Sequence, residues 1–121
     1  MAKLLLFNIQ NPETRSHLQV LSLRLNFTMS DVAPEKQCCR IRDLLSGLTG
    51  DNPDSAPSFQ DEMLVMNGFD RGDLNFFLNE LRRAGHVIRL KAVVTETNAG
   101  WTSSQLHAAL RLEHEALRGR K

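Results

Sequence analysis

The order of apolar runs and helix signals in the second half of the chain most constrains the fold. A short apolar run, 63–66, is followed by Leu74, Phe77, Leu78 and Leu81 at helical spacing, and then by an alternating run, 87–94. These patterns are typical of a buried strand, an amphipathic helix and a strand with one buried face. The second half is therefore predicted to contain strand, helix and strand in that order.

The last segment begins with the strongest helix-start signal in the sequence. Thr102 and Gln105 have the spacing of a capping box, in which each side chain bonds the other residue's backbone N–H. Trp101 and Leu106 flank this pair at the spacing of a hydrophobic staple. These signals predict a final helix that starts directly after Thr102.

The first half of the chain shows the same order of elements. An apolar run, 4–9, is followed by Asn11 and Pro12, which suit the N-cap and the first position of a helix. A second short strand is predicted over 27–32, and a second helix over 34–47.

The two halves align by a shift of about 60 residues, which is the test for an internal repeat. A shift of 59 aligns Leu5 with Leu64, and a shift of 60 aligns Leu18 with Leu78. We therefore predict an α/β fold with two β-α-β-α units, an internal pseudo-repeat, sharing one small, mixed four-stranded sheet with helices packed on it. A ferredoxin-like order does not fit, because 34–47 reads as helix where that fold has a hairpin.

A chain of 121 residues is long enough for one ordinary domain. We predict a single domain, 1–121, built from half-repeats 1–48 and 62–121. The interval 49–61 joins them and is rich in Gly, Asn, Asp, Pro and Ser, which is typical of a turn-rich surface loop.

Composition narrows the classes of partner. The formal net charge is +1, and acids and bases are interspersed, whereas phosphate binding needs a concentrated basic patch. No apolar run approaches the ~20 residues of a membrane span. The two cysteines, Cys38 and Cys39, are adjacent and are not expected to bridge each other. We therefore expect a cytoplasmic protein with reduced thiols and without a nucleic-acid or membrane surface.

The predicted strand ends suggest where a site would lie. In a β-α-β unit both strands end at the same edge of the sheet, and open α/β sheets bind ligands at the carboxyl ends of their strands. The residues expected to line a small polar pocket there are Asn67, Thr95, Glu96, Thr97, Asn98 and Trp101. In the alternative interpretation, the Thr and Asn side chains only bond their own backbone in a turn, and Trp101 only staples the last helix.

The sequence offers little support for a nucleophilic cysteine, a metal site or a phosphate-binding site. Cys38 lies on the predicted apolar stripe of its helix, so a buried thiol is favoured over a nucleophile paired with His17. His107 and His114 lie ~10 Å apart along one helix, too far for a shared metal without further ligands. We interpret them as solvated histidines on a polar face. Gly68 stands alone, without a phosphate-binding pattern. No metal, cofactor or catalytic residue is therefore predicted.

Several segments carry a resemblance to a known family. They are 65–69, the run 90–98, Trp101, and a helix that ends with 113–115. Together they resemble a family of small bacterial and archaeal domains of unknown function, domain-of-unknown-function family 3783. The resemblance covers about the last sixty residues. It implies no substrate, cofactor or catalytic residue.

The sequence thus predicts an uncharacterised cytoplasmic α/β protein, a non-enzymatic module that binds a small ligand or a protein partner. Its site is expected at the carboxyl edge of the sheet. The alternative is an enzyme, or a subunit of one, that uses Glu96 as acid or base with Thr95 and Asn98 as orienting groups. Self-association through an edge strand or an apolar patch is a third possibility, and the oligomeric state stays open.

Overall fold

The structure, a computed structural model, describes residues 2–32, 39–47, 59–86 and 88–118. The strands in this part of the chain are β1 (Ala2–Phe7), β2 (Phe27–Val32), β3 (Met63–Asn67) and β4 (Leu90–Val93). The α-helices are α1 (Pro12–Leu25), α2 (Ile41–Ser46), α3 (Arg71–Arg83) and α4 (Ser103–Arg118). A single 3₁₀ turn, Asn98–Gly100, precedes α4.

The strands form one mixed four-stranded sheet in the order β2-β1-β3-β4. β1 runs parallel to β2, and β3 runs parallel to β4, each pair being joined by one helix. The two pairs meet where β1 lies antiparallel to β3. The predicted α/β fold with a mixed four-stranded sheet is confirmed.

Alternation along the strands divides the core into two parts, one on each face of the sheet. In β1, Leu4 and Leu6 face one side, and Leu5 and Phe7 face the other. The first core includes residues of α1 and α3: Leu18, Leu21, Phe77 and Leu81. The second core includes residues of α2 and α4: Ile41, Leu44 and Leu106. The sheet is therefore a layer between two pairs of helices.

The helix-end signals read from the sequence correspond to hydrogen bonds in the structure. Asn11 caps α1 by accepting from the Glu13 N–H at 2.9 Å, and Asn26 ends it in the left-handed region with φ of 58°. At the start of α4, the Thr102 N–H donates to Gln105 Oε1 at 2.9 Å, and the Gln105 N–H donates to Thr102 Oγ1 at 3.1 Å. The predicted caps of these two helices are confirmed.

The prediction of a helix over 34–47 is wrong at residues 39–40. There α2 begins only at Ile41, and Arg40 is extended with ψ of 145°. The Ile41 N–H donates to the Trp101 carbonyl at 2.9 Å, and Arg40 forms an isolated bridge with Thr102. This pairing with the start of α4 holds the chain extended. Residues 33–38, with the predicted helix start and Cys38, lie outside the described part of the chain.

Two strand boundaries also differ from the prediction. β1 ends at Phe7, because Asn8 turns the chain with a positive φ of 62°. β4 begins only at Leu90, and Val87 lies outside the described residues. Ile88 is buried, but it belongs to the first core while Leu90 belongs to the second. The prediction that Ile88 and Leu90 share one buried face of the strand is therefore wrong.

The faces of the strands also correct one alignment of the two halves. A shift of 59 pairs Leu5 with Leu64, yet Leu5 belongs to the second core and Leu64 to the first. Equivalent strand residues of two copies should face the same side of a shared sheet. The shift of 59 is therefore wrong by one residue for the strands, while the internal repeat itself stays a prediction.

The first testable consequence concerns the first core. Phe77 is fully buried and meets the Phe27 ring edge-on, with centroids 5.6 Å apart. Phe77→Ala should lower the free energy of unfolding by about 3–5 kcal/mol, because it removes buried apolar area and leaves a cavity. Urea denaturation measures this loss. Phe76, the partly buried neighbour, is the matched control, and an equal loss for Phe76→Ala would contradict the packing.

A second consequence concerns acid stability. Arg15 donates to both oxygens of Asp31 at 2.8 and 2.7 Å, and this hydrogen bonding holds the pKa of Asp31 below its ordinary value. A lowered carboxyl pKa stabilises the fold above the unfolded-state pKa of about 4, and the stabilisation is lost as the pH falls through the folded-state pKa. Because the pair is about half exposed, Asp31→Asn should cost at most about 1 kcal/mol at pH 7.

Urea denaturation of the wild type and of Asp31→Asn at a series of pH values measures this contribution. The two curves should converge as the pH falls below the folded-state pKa of Asp31. A difference that persists in strong acid would show that the substitution acts on packing and not on the ion pair.

Candidate functional site

The predicted loop after β4 lies beside the end of β3. The Val94 N–H donates to the Met66 carbonyl at 2.9 Å, so the chain leaves β4 next to Asn67. Both strands end at this edge because they are parallel. The structure therefore brings the start of the loop 95–98 to the position expected from the sequence.

Two side chains of this loop are used to close a turn. The Thr95 N–H donates to Asn98 Oδ1 at 2.8 Å, and the Asn98 N–H donates to Thr95 Oγ1 at 3.1 Å. Asn98 Nδ2 also donates to the Val93 carbonyl at 3.1 Å. This reciprocal pattern resembles a helix capping box and leads into the 3₁₀ turn. A structural role thus accounts for Thr95 and Asn98.

The other predicted site residues differ in exposure. Glu96 and Thr97 are exposed at the tip of the loop, and Asn67 is partly buried at the end of β3. Trp101 is partly buried and packs against the second core, which also contains Leu106, as a hydrophobic staple does. None of these side chains lines the cavity of about 290 Å³ against α4 or the cavity of about 230 Å³ beside α1. Ligand binding at this loop stays a prediction.

A concave site lies at the opposite end of the sheet. Because β1 is antiparallel to β3, the end where β1 stops is the end where β3 and β4 begin. A cavity of about 290 Å³ opens there against α4. We call it the α4 pocket, and its lining residues are Asp61, Glu62, Arg89, Leu90, Arg111, His114 and Glu115.

Three segments of the chain position these side chains. Met63 pairs with Leu90 across β3 and β4, so Glu62 and Arg89 precede paired residues of adjacent strands. On α4 the lining residues 111, 114 and 115 are three and four positions apart, which places them on one face of the helix. Asp61 comes from the segment before β3.

Some charges around the α4 pocket are paired within the protein. Arg111 donates to Glu115 at 3.0 Å and lies 4.0 Å from Asp61. Asp61 in turn accepts from His107 Nε2 at 2.8 Å. Arg89 and Glu62 form no ion pair with any residue in the described ranges. The pocket therefore presents one guanidinium and one carboxylate without a charged partner in this part of the protein.

His107 fixes the segment before β3 onto α4. Its side chain is buried, and its ring stacks on Phe59 with centroids 4.0 Å apart and an interplanar angle of 6°. On the other side of this segment, Asn8 Nδ2 donates to the Phe59 and Asp61 carbonyls at 2.9 and 3.0 Å. The predicted surface loop is thus attached to the fold at Phe59 and Asp61, and residues 48–58 lie outside the described part.

The interpretation of the α4 histidines as solvated is wrong for His107, and one ring nitrogen of His114 is also covered. His107 is only 9% exposed, and His114 Nε2 is covered by protein without a hydrogen-bond partner among the described residues. The sequence contained a signal for this. His107 and His114 lie one and four residues after Leu106 and Leu110, which places them beside the apolar stripe of α4.

The remaining candidates for chemistry are structural where they are described. Cys39 is buried in the second core, and its carbonyl accepts from the Ser103 N–H at 3.0 Å. The described residues hold no group of three or more side chains that could bind a metal ion.

Asn98 offers a test of the turn. Asn98→Ala should lower the free energy of unfolding by about 1–2 kcal/mol, because it leaves the Thr95 N–H and the Val93 carbonyl without their partner. Thr97→Ala, in the same loop, should change it by less than about 0.5 kcal/mol, since Thr97 is exposed and makes no capping hydrogen bond. Chemical denaturation compares the two variants, and equal effects would contradict the structural role of Asn98.

Comparison with known proteins supports the resemblance seen in the sequence. The family described as "Domain of unknown function (DUF3783)" matches residues 62–117, which extend from the start of β3 into the last turn of α4. This segment includes the loop 95–98 and every lining residue of the α4 pocket except Asp61. No curated protein and no solved structure gave a match. In the described residues, no helix has the length and apolar character needed to cross a membrane. The second half of the chain is thus similar to a family whose function is unknown.

Proposed function

We propose that this chain is a small, non-enzymatic, cytoplasmic binding module that takes up a small ligand in the α4 pocket. The observation that carries the proposal is the convergence of charged side chains from three segments on one cavity. A concave site with a few convergent polar groups is the usual form of a small-molecule site. The cytoplasmic part rests on the two adjacent cysteines, Cys38 and Cys39, which are not expected to bridge each other.

The α4 pocket is favoured over the loop at the other end of the sheet. In the loop, the side chains of Thr95 and Asn98 are occupied by backbone groups and are not available to a ligand without opening the turn. In the pocket, Arg89 and Glu62 keep their charged groups without an ion-pair partner in the described ranges. Charged groups without an internal partner favour binding, because no internal bond must be broken first.

The enzymatic alternative through Glu96 lacks such support. A catalytic carboxyl group is typically desolvated in a cleft, whereas Glu96 is exposed at a loop tip. The seven residues that line the α4 pocket are five charged residues, one histidine and one leucine. The lining is suited to holding charged groups of a ligand.

A thermal-shift screen of the wild-type protein against small metabolites tests this proposal. A ligand that binds only the folded protein should raise its melting temperature, and at 100 times Kd it adds about 2.7 kcal/mol of stability. Arg89→Ala should abolish the shift produced by any hit. Arg71→Ala is the matched control, because Arg71 is an exposed arginine at the start of α3, on the other face of the sheet.

The possible outcomes are distinct. A screen without hits would contradict ligand binding and favour a protein partner. A hit that survives Arg89→Ala but is lost in Glu96→Ala would move the site to the loop 95–98. A hit that both arginine variants bind equally well would contradict the assignment to the α4 pocket.

A further inference from the structure

We infer that the ligand of the α4 pocket is a small zwitterion, a molecule the size of a free amino acid with one carboxylate and one ammonium group. The inference rests on the proposed function and names the chemical class that this site would take. It follows from the signs of the charges around the cavity, from the pairs they already form, and from the size of the space.

The signs of the lining charges disfavour a ligand with a single kind of charge. The lining contributes two guanidinium groups, from Arg89 and Arg111, and three carboxylates, from Asp61, Glu62 and Glu115. A phosphate or another strong anion would lie close to the carboxylates, and a simple cation would lie close to the guanidinium groups. Like charges brought together in a partly desolvated site are destabilising. A molecule with both charges avoids this conflict.

The internal pairs determine which lining charges a ligand would meet. The Arg111–Glu115 and Asp61–His107 contacts, at 3.0 and 2.8 Å, already satisfy part of the lining. This leaves Arg89 and Glu62. They precede Leu90 and Met63, which pair across neighbouring strands, and such strands lie about 4.8 Å apart.

Arg89 and Glu62 form no ion pair with each other in the structure, although they carry opposite charges and line the same cavity. The carboxylate of a zwitterion would accept from the Arg89 guanidinium, whose fork of donors matches a carboxylate. Its ammonium group would donate to the Glu62 carboxylate. The ligand thereby pairs with the two charges, Arg89 and Glu62, that have no ion-pair partner in the described part of the protein.

The size of the cavity limits the ligand further. A cavity of about 290 Å³ is at the lower end of the range of known small-molecule sites, about 300–1,000 Å³. It accommodates a molecule of amino-acid size, whereas a dinucleotide is too large. Leu90 provides the apolar part of the lining, against which a short aliphatic side chain would pack.

His114 adds a polar group that the protein leaves unsatisfied. Its Nε2 atom is covered by protein and has no hydrogen-bond partner among the described residues. A buried polar atom without a partner is destabilising, by about 1–3 kcal/mol. A turn of the ring toward the cavity would offer this nitrogen to a bound ligand.

Isothermal titration calorimetry with matched probes tests the inference. The wild-type protein is titrated with each of the twenty standard amino acids. The best binder is then compared with the carboxylic acid that lacks its amino group and with the amine that lacks its carboxyl group. We expect the amino acid to bind at least tenfold more tightly than either analogue, because each analogue leaves one lining charge unpaired.

Two neutralising variants separate the roles of the two charges. Arg89→Gln should weaken binding of the amino acid and of the carboxylic acid, and Glu62→Gln should weaken binding of the amino acid and of the amine. Arg71→Gln and Glu80→Gln, both on α3, are the matched controls and should bind like the wild type. The melting temperature of each of the four variants verifies that it is folded.

The failure of this inference is distinguishable from that of the proposed function. Equal binding of the amino acid and its deaminated analogue, lost in Arg89→Gln, would overturn the zwitterion while the α4 pocket remains a binding site. The same follows if no amino acid binds but another metabolite gives a thermal shift that depends on Arg89. If neither the amino acids nor the metabolites bind, both the inference and the proposed function fail.

Discussion

The antiparallel pairing of β1 with β3 is the contact on which the rest of the structure depends. The middle of both strands is buried on both faces, and their pairing joins two parallel strand pairs into one sheet. It also reverses the second pair relative to the first. As a result, β3 and β4 end at one end of the sheet, near the loop 95–98, and begin at the other, near the α4 pocket. A mixed sheet therefore has no single carboxyl edge at which ligands must bind.

Local signals in the sequence predicted the elements whose ends are set by local hydrogen bonds. The bounds of α1 follow from Asn11, which caps its first turn, and from Asn26, which ends it in the left-handed region. The start of α2 could not be found in this way. It is set by the hydrogen bond from the Ile41 N–H to the Trp101 carbonyl, which joins residues 60 positions apart in the sequence. No pattern within the first half of the chain reports such a contact.

The candidate sites show the same division between local and distant interactions. The sequence singled out the loop 95–98 because its Thr and Asn residues had no evident role, and the turn made by Thr95 and Asn98 supplies one. The α4 pocket was missed, because its lining comes from three segments that only the sheet brings together. The one local signal for the pocket was the position of His114 four residues after Leu110, along the apolar stripe of α4, which is uncommon for a solvated histidine.

The stack of His107 on Phe59 links the fold to the chemistry of the α4 pocket. It holds the segment before β3 against α4, and the hydrogen bond from His107 to Asp61 occupies that carboxylate. If Asp61 were instead free, the pocket would present two unpaired carboxylates and one unpaired guanidinium, and it would favour cations. Because Asp61 accepts from His107 and lies 4.0 Å from Arg111, Glu62 and Arg89 are the lining charges without an ion-pair partner in the described ranges. A buried aromatic contact thereby holds His107 in the position from which it binds Asp61.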